Sequence, residues 1–141
     1  MKKILLIGIL ILACASSFGD RILISKGTVT IKFDHNSESF EQTLTRQDFE
    51  KTAAYNPLES GIDVKLIADS ALHTANTTAP DTKFSVIGVS VKKMPKETYW
   101  FVLVEIGETI SMPDGEKILP AFKLALTMDG KCGRIVNVDN K

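Results

Sequence analysis

The sequence predicts an α+β fold in which one main helix packs on a curled antiparallel sheet, with an N-terminal β-hairpin before the helix. Three observations predict it. Apolar residues recur at helical spacing over 64–75, residues 28–44 alternate on both sides of a polar turn, and the chain after Phe84 alternates at the period of a strand. Strands joined by short turns pair antiparallel, and one helix can cover one face of their sheet.

The first nineteen residues predict a removable export signal. Lys2 and Lys3 precede ten apolar residues, 4–13, and small residues follow. A membrane-spanning helix needs about twenty apolar residues, so this run is too short to span. We expect residues 1–19 to be a secretory signal that is cleaved, and residues 20–141 to be a single exported domain, periplasmic or secreted.

Cys14 allows a second interpretation of the same segment. The tetrapeptide 11–14, Ile-Leu-Ala-Cys, resembles a bacterial lipobox, in which the cysteine carries a lipid and becomes the mature N-terminus. A lipid on Cys14 would anchor the domain to the cell envelope without changing its fold. Both alternatives remain open, and the membrane is a partner only in the second.

Composition limits the classes of function. The 141 residues are 44% hydrophobic and 24% charged, which is typical of a globular domain. Basic and acidic residues number 17 each, and loss of Lys2 and Lys3 leaves 15 against 17, a net charge of −2. This balance argues against nucleic acid as a partner. Without Cys14 the mature chain keeps only Cys132, so no internal disulfide is expected.

The segment before the main helix predicts a hairpin and a short helix. Residues 21–34 form one expected strand, with the inward-facing alternation Val29, Ile31 and Phe33. A polar turn over 35–38 leads to a second strand over 39–44, where Phe40, Gln42 and Leu44 alternate. Thr45 then begins one or two helical turns, which Asn56-Pro57 ends.

The main helix is expected to begin at Ser60-Gly61 or at Asp63, and residues 77–80 end it. Its apolar positions form one stripe: Val64, Ile67, Ala68, Ala71, Leu72 and Ala75. Asp69 and His73 are four residues apart on the polar surface, a common pairing on helices.

A four-strand meander is expected after the helix, over 84–91, 99–106, 122–128 and 131–138. A basic turn over 92–96 joins the first two strands, and a long connection over 107–120 follows. Asp129-Gly130 predicts a tight turn before the last strand.

Few side chains could support catalysis, so we predict that the protein is not an enzyme. His35 in a turn and His73 on the helix are expected at the surface, and neither has a partner at metal-ligand spacing. Phosphate-binding and dinucleotide motifs are absent, so neither a metal nor a cofactor is expected. Cys132 would need a histidine base to act as a nucleophile, and we interpret it as a small strand residue.

The candidate binding residues are Tyr99, Trp100, Phe101, Lys92 and Lys93. Three consecutive aromatic residues in one strand place at least one ring on the outer face, where a large ring is a typical interaction anchor. The adjacent lysines, with Lys96, form a basic turn. The alternative is that the rings belong to the core and the lysines are merely solvated. The binding interpretation predicts recognition of a protein or peptide, with strand addition at a sheet edge as the mode.

Several segments resemble small exported PepSY-like proteins of bacteria. They are Asn-Pro-Leu-Glu-Ser at 56–60, the helix with Ala68, Ala71 and Ala75, Tyr-Trp-Phe-Val-Leu-Val at 99–104, and Met-Asp-Gly at 128–130. The resemblance extends over residues 56–138. It implies a cystatin-like α+β fold and a non-enzymatic domain that binds, inhibits or modulates a peptidase.

Two other functions remain alternatives. One is a small-ligand carrier or enzyme with a pocket between helix and sheet, although the predicted inner stripe offers no polar group for a ligand. The other is a lipid-tethered structural protein of the envelope.

Overall fold

The computed structural model describes residues 21–52 and 56–138. These residues form seven strands and three helices: β1 (Arg21–Ser25), β2 (Thr28–His35), β3 (Glu38–Leu44), α1 (Arg46–Glu50), α2 (Pro57–Ser60), α3 (Val64–Thr78), β4 (Phe84–Lys93), β5 (Trp100–Met112), β6 (Gly115–Leu126) and β7 (Arg134–Asn137). One antiparallel sheet has the order β1-β2-β3-β7 and the other has the order β4-β5-β6. The predicted export signal and Cys14 lie outside the described residues.

The predicted fold class is wrong. The described chain is mostly antiparallel β in two sheets with three short helices, and it is not one main helix on a single curled sheet. The prediction placed residues 131–138 beside the preceding strand, but β7 pairs with β3 from Phe40↔Asn137 to Thr43↔Arg134. Only one bridge, Leu126↔Cys132, continues the second sheet beyond β6. Neighbouring strands usually pair, but alternation within a strand does not say which edge it joins.

The N-terminal sheet begins with two successive hairpins. The single strand predicted over 21–34 is divided by a turn at Lys26 and Gly27, whose φ angles are 51° and 80°. Asn36 and Ser37, at 51° and 64°, make the turn of the predicted second hairpin. Turns with two positive φ angles match the right-handed twist of paired strands, which is why they connect hairpins so often.

The long connection predicted over 107–120 is also strand. β5 and β6 stay paired from Val102↔Leu126 to Met112↔Gly115, so this region is the outer half of one long hairpin. Gly107 lies where the register shifts, and a Cβ atom there would come within 2.6 Å of Ile118 Cγ2 and 2.8 Å of Ile87 Cγ2. Glycine therefore allows these two isoleucines to approach across the backbone of β5.

The helices follow from local capping and a narrow apolar stripe. Thr45 and Asp48 form a capping box on α1, and the Asp63 side chain accepts from the Leu66 amide at the start of α3. Of the predicted stripe, Ile67, Ala71 and Ala75 are fully buried; Ala68 and Leu72 are partly buried, and Val64 is exposed. Helix α3 contacts all three strands of the second sheet.

Aromatic rings join the two sheets. Phe33 of β2 stacks on Phe122 of β6 with 4.3 Å between ring centroids, and Phe40 and Phe84 lie against these two rings. All four rings are buried. Full burial of one such ring stabilises the fold by about 1.5–3 kcal/mol.

A buried polar side chain makes the second link. Gln42 Oε1 accepts from the Ala125 amide at 2.7 Å, and Gln42 Nε2 donates to the Ala125 carbonyl at 2.8 Å and to the Gly133 carbonyl at 3.2 Å. The Gln42 side chain thus makes hydrogen bonds to the outer edge of β6, as the backbone of a neighbouring strand would. A Cβ atom on Gly133 would lie 2.7 Å from the Thr43 carbonyl, so glycine is required where the chain enters β7.

Candidate functional site

The five residues predicted to bind a partner lie on two opposite faces of the second sheet. Lys92 is paired with Phe101 and Lys93 with Trp100, and successive residues of a strand point to opposite faces. Lys93 and Trp100 therefore share one face, Lys92 and Phe101 share the other, and the five residues do not form a single surface.

The aromatic residues are used largely by the core. Phe101 is buried, and both Phe101 and Tyr99 pack against Phe49 of α1. The Tyr99 hydroxyl makes a hydrogen bond with Arg46, and this bond, with the nearby charge of Glu97, raises the pKa of Arg46 above its ordinary value. Phe101 has little surface left for a partner.

Trp100 and Lys93 form a pair with accessible surface. Trp100 is half-buried, and the Lys93 ammonium lies 5.9 Å from its ring centroid, within the range of a cation–π contact. Lys92, on the other face, borders a shallow groove of about 300 Å³ with Leu103, Glu105 and Lys123. The binding role of these residues stays a prediction.

Strand β1 is an exposed edge that the sequence analysis missed. It is the first strand of its sheet and, within the described residues, pairs only with β2. All five of its residues are exposed, including Ile22, Leu23 and Ile24 at 38%, 50% and 37% of their maximal accessible surface. An edge strand presents a row of unpaired backbone donors and acceptors, which can pair with another chain.

A crevice of about 360 Å³ opens at the C-terminal end of β1. Two tight turns form it together, and its lining residues are Ile24, Lys26, Gly27, Pro95, Lys96 and Glu97. Across the described ranges, neither Lys26 nor Lys96 has a carboxylate within 4.0 Å of its ammonium group. The Arg46 side chain packs across Gly27 beside the crevice, so the local charge is positive.

The other end of β1 is also basic. Arg21 lies opposite Lys32, and both border an open groove of about 440 Å³ that includes Asp34 and Glu41. The acidic residues of this groove lie on β2 and β3, away from the free edge of β1. Strand β1 is thus an apolar edge with a cationic side chain at each end.

Cys132 lies in a polar contact with Gln42. Gln42 Nε2 is 3.2 Å from the Cys132 sulfur, and Thr74 of α3 makes a second hydrogen bond to it. Burial raises the pKa of the Cys132 thiol, and the hydrogen bonds from Thr74 and Gln42 only partly oppose this effect. A buried thiol with a raised pKa carries little thiolate at neutral pH and is a poor nucleophile.

The predicted surface position of His35 is wrong. His35 ends β2 on its inner face and is 8% exposed, between the rings of Phe84 and Phe122. Its Nε2 lies 3.4 Å from Glu108 Oε2, but no described group makes a hydrogen bond with this nitrogen.

His73 is exposed as predicted, although its expected partner Asp69 pairs with Lys65 at 2.7 Å.

Over residues 21–52 and 56–138, no three His, Cys, Asp or Glu side chains are grouped to hold a metal ion. The helices within these ranges are all too short or too polar to cross a bilayer.

Comparison of the chain with protein-family models, with curated proteins and with solved structures gives no match. The resemblance to PepSY-like proteins therefore stays a prediction from the sequence.

Proposed function

We propose that this protein is an exported, non-enzymatic binding module that recognises an extended segment of another protein or a peptide by strand addition to β1. The observation that carries the proposal is the edge of β1 that no strand of the described residues covers, with five exposed residues and three consecutive large apolar side chains. In strand addition, main-chain hydrogen bonds supply affinity and alternate side chains supply specificity.

The apolar side chains of β1 are placed to extend the core toward an added strand. Ile22 and Ile24 lie opposite Ile31 and Val29, which are fully buried, so they share the inner face of the sheet. An added strand with apolar residues on the same face would cover Ile22 and Ile24. Each side chain that becomes fully buried contributes about 1.5–3 kcal/mol at most, before the cost of ordering the peptide.

Edges that must stay unpaired are normally protected by a charge, a proline or a bulge. The three central residues of β1 carry none of these, and the pairing with β2 runs without a register shift. This absence of protection favours a pairing function for the edge. The export signal predicted over residues 1–19 puts the partner outside the cytoplasm, and the sequence resemblance implies a peptidase as one class of partner.

The half-exposed pair Trp100 and Lys93 belongs to the same proposal. The two residues close the β4–β5 hairpin, whose turn supplies Pro95, Lys96 and Glu97 to the crevice beside β1. A partner that extends past the end of β1 would meet this turn first.

A titration followed by NMR tests the proposal. The purified protein, labelled with ¹⁵N, is mixed with a blocked heptapeptide of alternating threonine and valine at millimolar concentration. We expect amide shift changes centred on β1, and we expect Leu23→Lys to remove them because a charge on the edge disfavours pairing.

Ile118→Lys is the matched control, because Ile118 is 52% exposed, as Leu23 is 50% exposed, but lies on the β5–β6 hairpin. This variant should bind as the unmodified protein does. Strand addition at β1 would be rejected if the peptide left the β1 amides unchanged, or if the two lysine variants lost binding equally.

A further inference from the structure

We propose that the crevice at the end of β1 binds a carboxylate of the added segment, so that the preferred segment has an apolar centre and an acidic residue beside Lys26 and Lys96. This inference rests on the proposed strand addition and names the chemistry of its ligand. The class of ligand is an extended acidic peptide.

The first argument is the continuity between strand and crevice. Ile24 belongs both to β1 and to the crevice lining, so a strand paired along β1 leads directly to the two lysines. One residue of an extended chain covers about 3.3 Å, so the side chain one or two positions beyond Ile24 reaches the crevice.

The second argument is the uncompensated charge. Lys26 and Lys96 come from different turns, line the same crevice and have no carboxylate within 4.0 Å in the described part of the chain. Glu97, the acid of the lining, interacts with Arg46, whose side chain packs against Gly27. A ligand carboxylate in the crevice would be attracted by both lysines.

The third argument is the turn chemistry. Lys26 and Lys96 have φ angles of 51° and 62°, a left-handed conformation that Asn and Gly adopt more readily than lysine. At Lys26 the next residue is Gly27, so asparagine would complete the Asn-Gly pair that such hairpin turns prefer. Lysine at both positions is therefore unfavourable for the turns, which points to a role for the charge.

Charge also selects the occupant of the edge. A second copy paired antiparallel along β1 would bring Arg21 of one chain toward the Lys26 end of the other, so like charges would meet. A segment with acidic ends meets an opposite charge at both ends of β1, and we therefore assign the edge to an acidic peptide.

The test uses three blocked heptapeptides with the same threonine–valine centre and glutamate, glutamine or lysine at both ends. We expect the acidic peptide to bind about 3- to 10-fold more tightly than the neutral one, as expected for one or two partly exposed ion pairs. The difference should shrink at high salt, and the basic peptide should bind most weakly.

The double variant Lys26→Asn and Lys96→Asn should lose the preference for the acidic peptide and keep the binding of the neutral one. Its thermal midpoint should equal or exceed that of the unmodified protein, because asparagine suits both turns. Lys117→Asn, which removes an exposed lysine from the β5–β6 hairpin, is the control and should retain the preference.

The outcomes separate this inference from the proposed function. Equal binding of the acidic and neutral peptides at β1 would overturn the carboxylate site and leave strand addition standing. Shifts at Lys26 and Lys96 without shifts in β1 would support a carboxylate site but overturn strand addition. A dimer that forms through β1 and excludes all three peptides would overturn both.

Discussion

Replacement of Gln42 by alanine removes the side chain that joins the edge of β6 to β3. Gln42 is 1% exposed, and its amide group makes three hydrogen bonds to backbone atoms of Ala125 and Gly133. After the substitution the Ala125 amide has no acceptor, whereas the Ala125 carbonyl still accepts from the Gly133 amide at 3.3 Å. The main loss is therefore the acceptor of the buried Ala125 amide, and the buried Gly133 carbonyl loses one donor as well.

The size of the effect follows from these atoms. A buried backbone group left without a partner costs about 1–3 kcal/mol, and the lost methylene group costs about 0.8 kcal/mol. We expect Gln42→Ala to lower the free energy of unfolding by about 2–4 kcal/mol. For a domain of this size, that loss lowers Tm by about 10 °C.

Urea and thermal denaturation, followed by circular dichroism, measure the change. Gln47→Ala is the matched control, because Gln47 has the same side chain at an exposed position of α1, and we expect a change within about 0.5 kcal/mol. Gln42→Glu keeps the shape but places a carboxylate oxygen against two carbonyls, so it should destabilise at least as much as alanine.

Two results would refute this reasoning. A Gln42→Ala variant as stable as Gln47→Ala would show that the hydrogen bonds contribute nothing measurable. A Gln42→Glu variant of full stability would show that only the volume of the side chain matters.

Three further predictions concern a buried histidine, a buried thiol and a carboxylate with a lowered pKa. His35→Leu should raise the free energy of unfolding, measured in urea, by about 1–3 kcal/mol, because it removes a buried nitrogen without a hydrogen bond. A lower free energy of unfolding would instead show that the contact of His35 with Glu108 is favourable. Cys132 should react with iodoacetamide at neutral pH at least about tenfold more slowly in the native protein than in urea, and equal rates would contradict its burial. Burial acts to raise the pKa of Asp48, but hydrogen bonds from Lys131 and Thr45 outweigh burial and lower this pKa. The stability that Asp48 contributes is therefore complete above its unfolded pKa of about 3.9. It is lost as pH falls through the lower pKa of the folded state. Asp48→Asn should therefore be less stable than the unmodified protein at neutral pH and equally stable in strong acid, and a gap that is constant with pH would argue against this linkage.

Local patterns predicted those elements whose signals lie in consecutive residues. Helix α3 was predicted because its apolar spacing lies within one segment, and of the two starts that the sequence left open the structure has the cap at Asp63. The hairpin at Asn36 and Ser37 was predicted for the same reason. His35 was misplaced although a signal was present, because it continues the inward alternation of Val29, Ile31 and Phe33. The polar character of the turn residues concealed that continuation.

The candidate site was less predictable. The turn that separates β1 from β2 was missed and β1 was taken as part of a longer strand, although the inward positions change across it from even numbers, at Ile22 and Ile24, to odd numbers, at Val29 and Ile31. The binding role was assigned to aromatic residues because large rings often anchor interfaces, but a ring is equally suited to the core. Phe101 is buried because α1 supplies Phe49 as its neighbour, and no residue near Phe101 in the sequence indicates this contact.

The amino-acid sequence by itself determined the secondary-structure preferences, the capping of the helices and the inward-facing positions of most strands, because these depend on neighbours within a few residues. Only the tertiary structure decided that β7 joins β3, that Gln42 pairs with the edge of β6, and that among residues 21–52 and 56–138 β1 pairs only with β2 and lies beside two lysines without an ion pair. The position of an edge strand or a charge cluster depends on how distant segments of the chain pack together. Such packing depends on contacts between residues nearly one hundred positions apart, such as the pairing of Phe40 with Asn137, which no local pattern records.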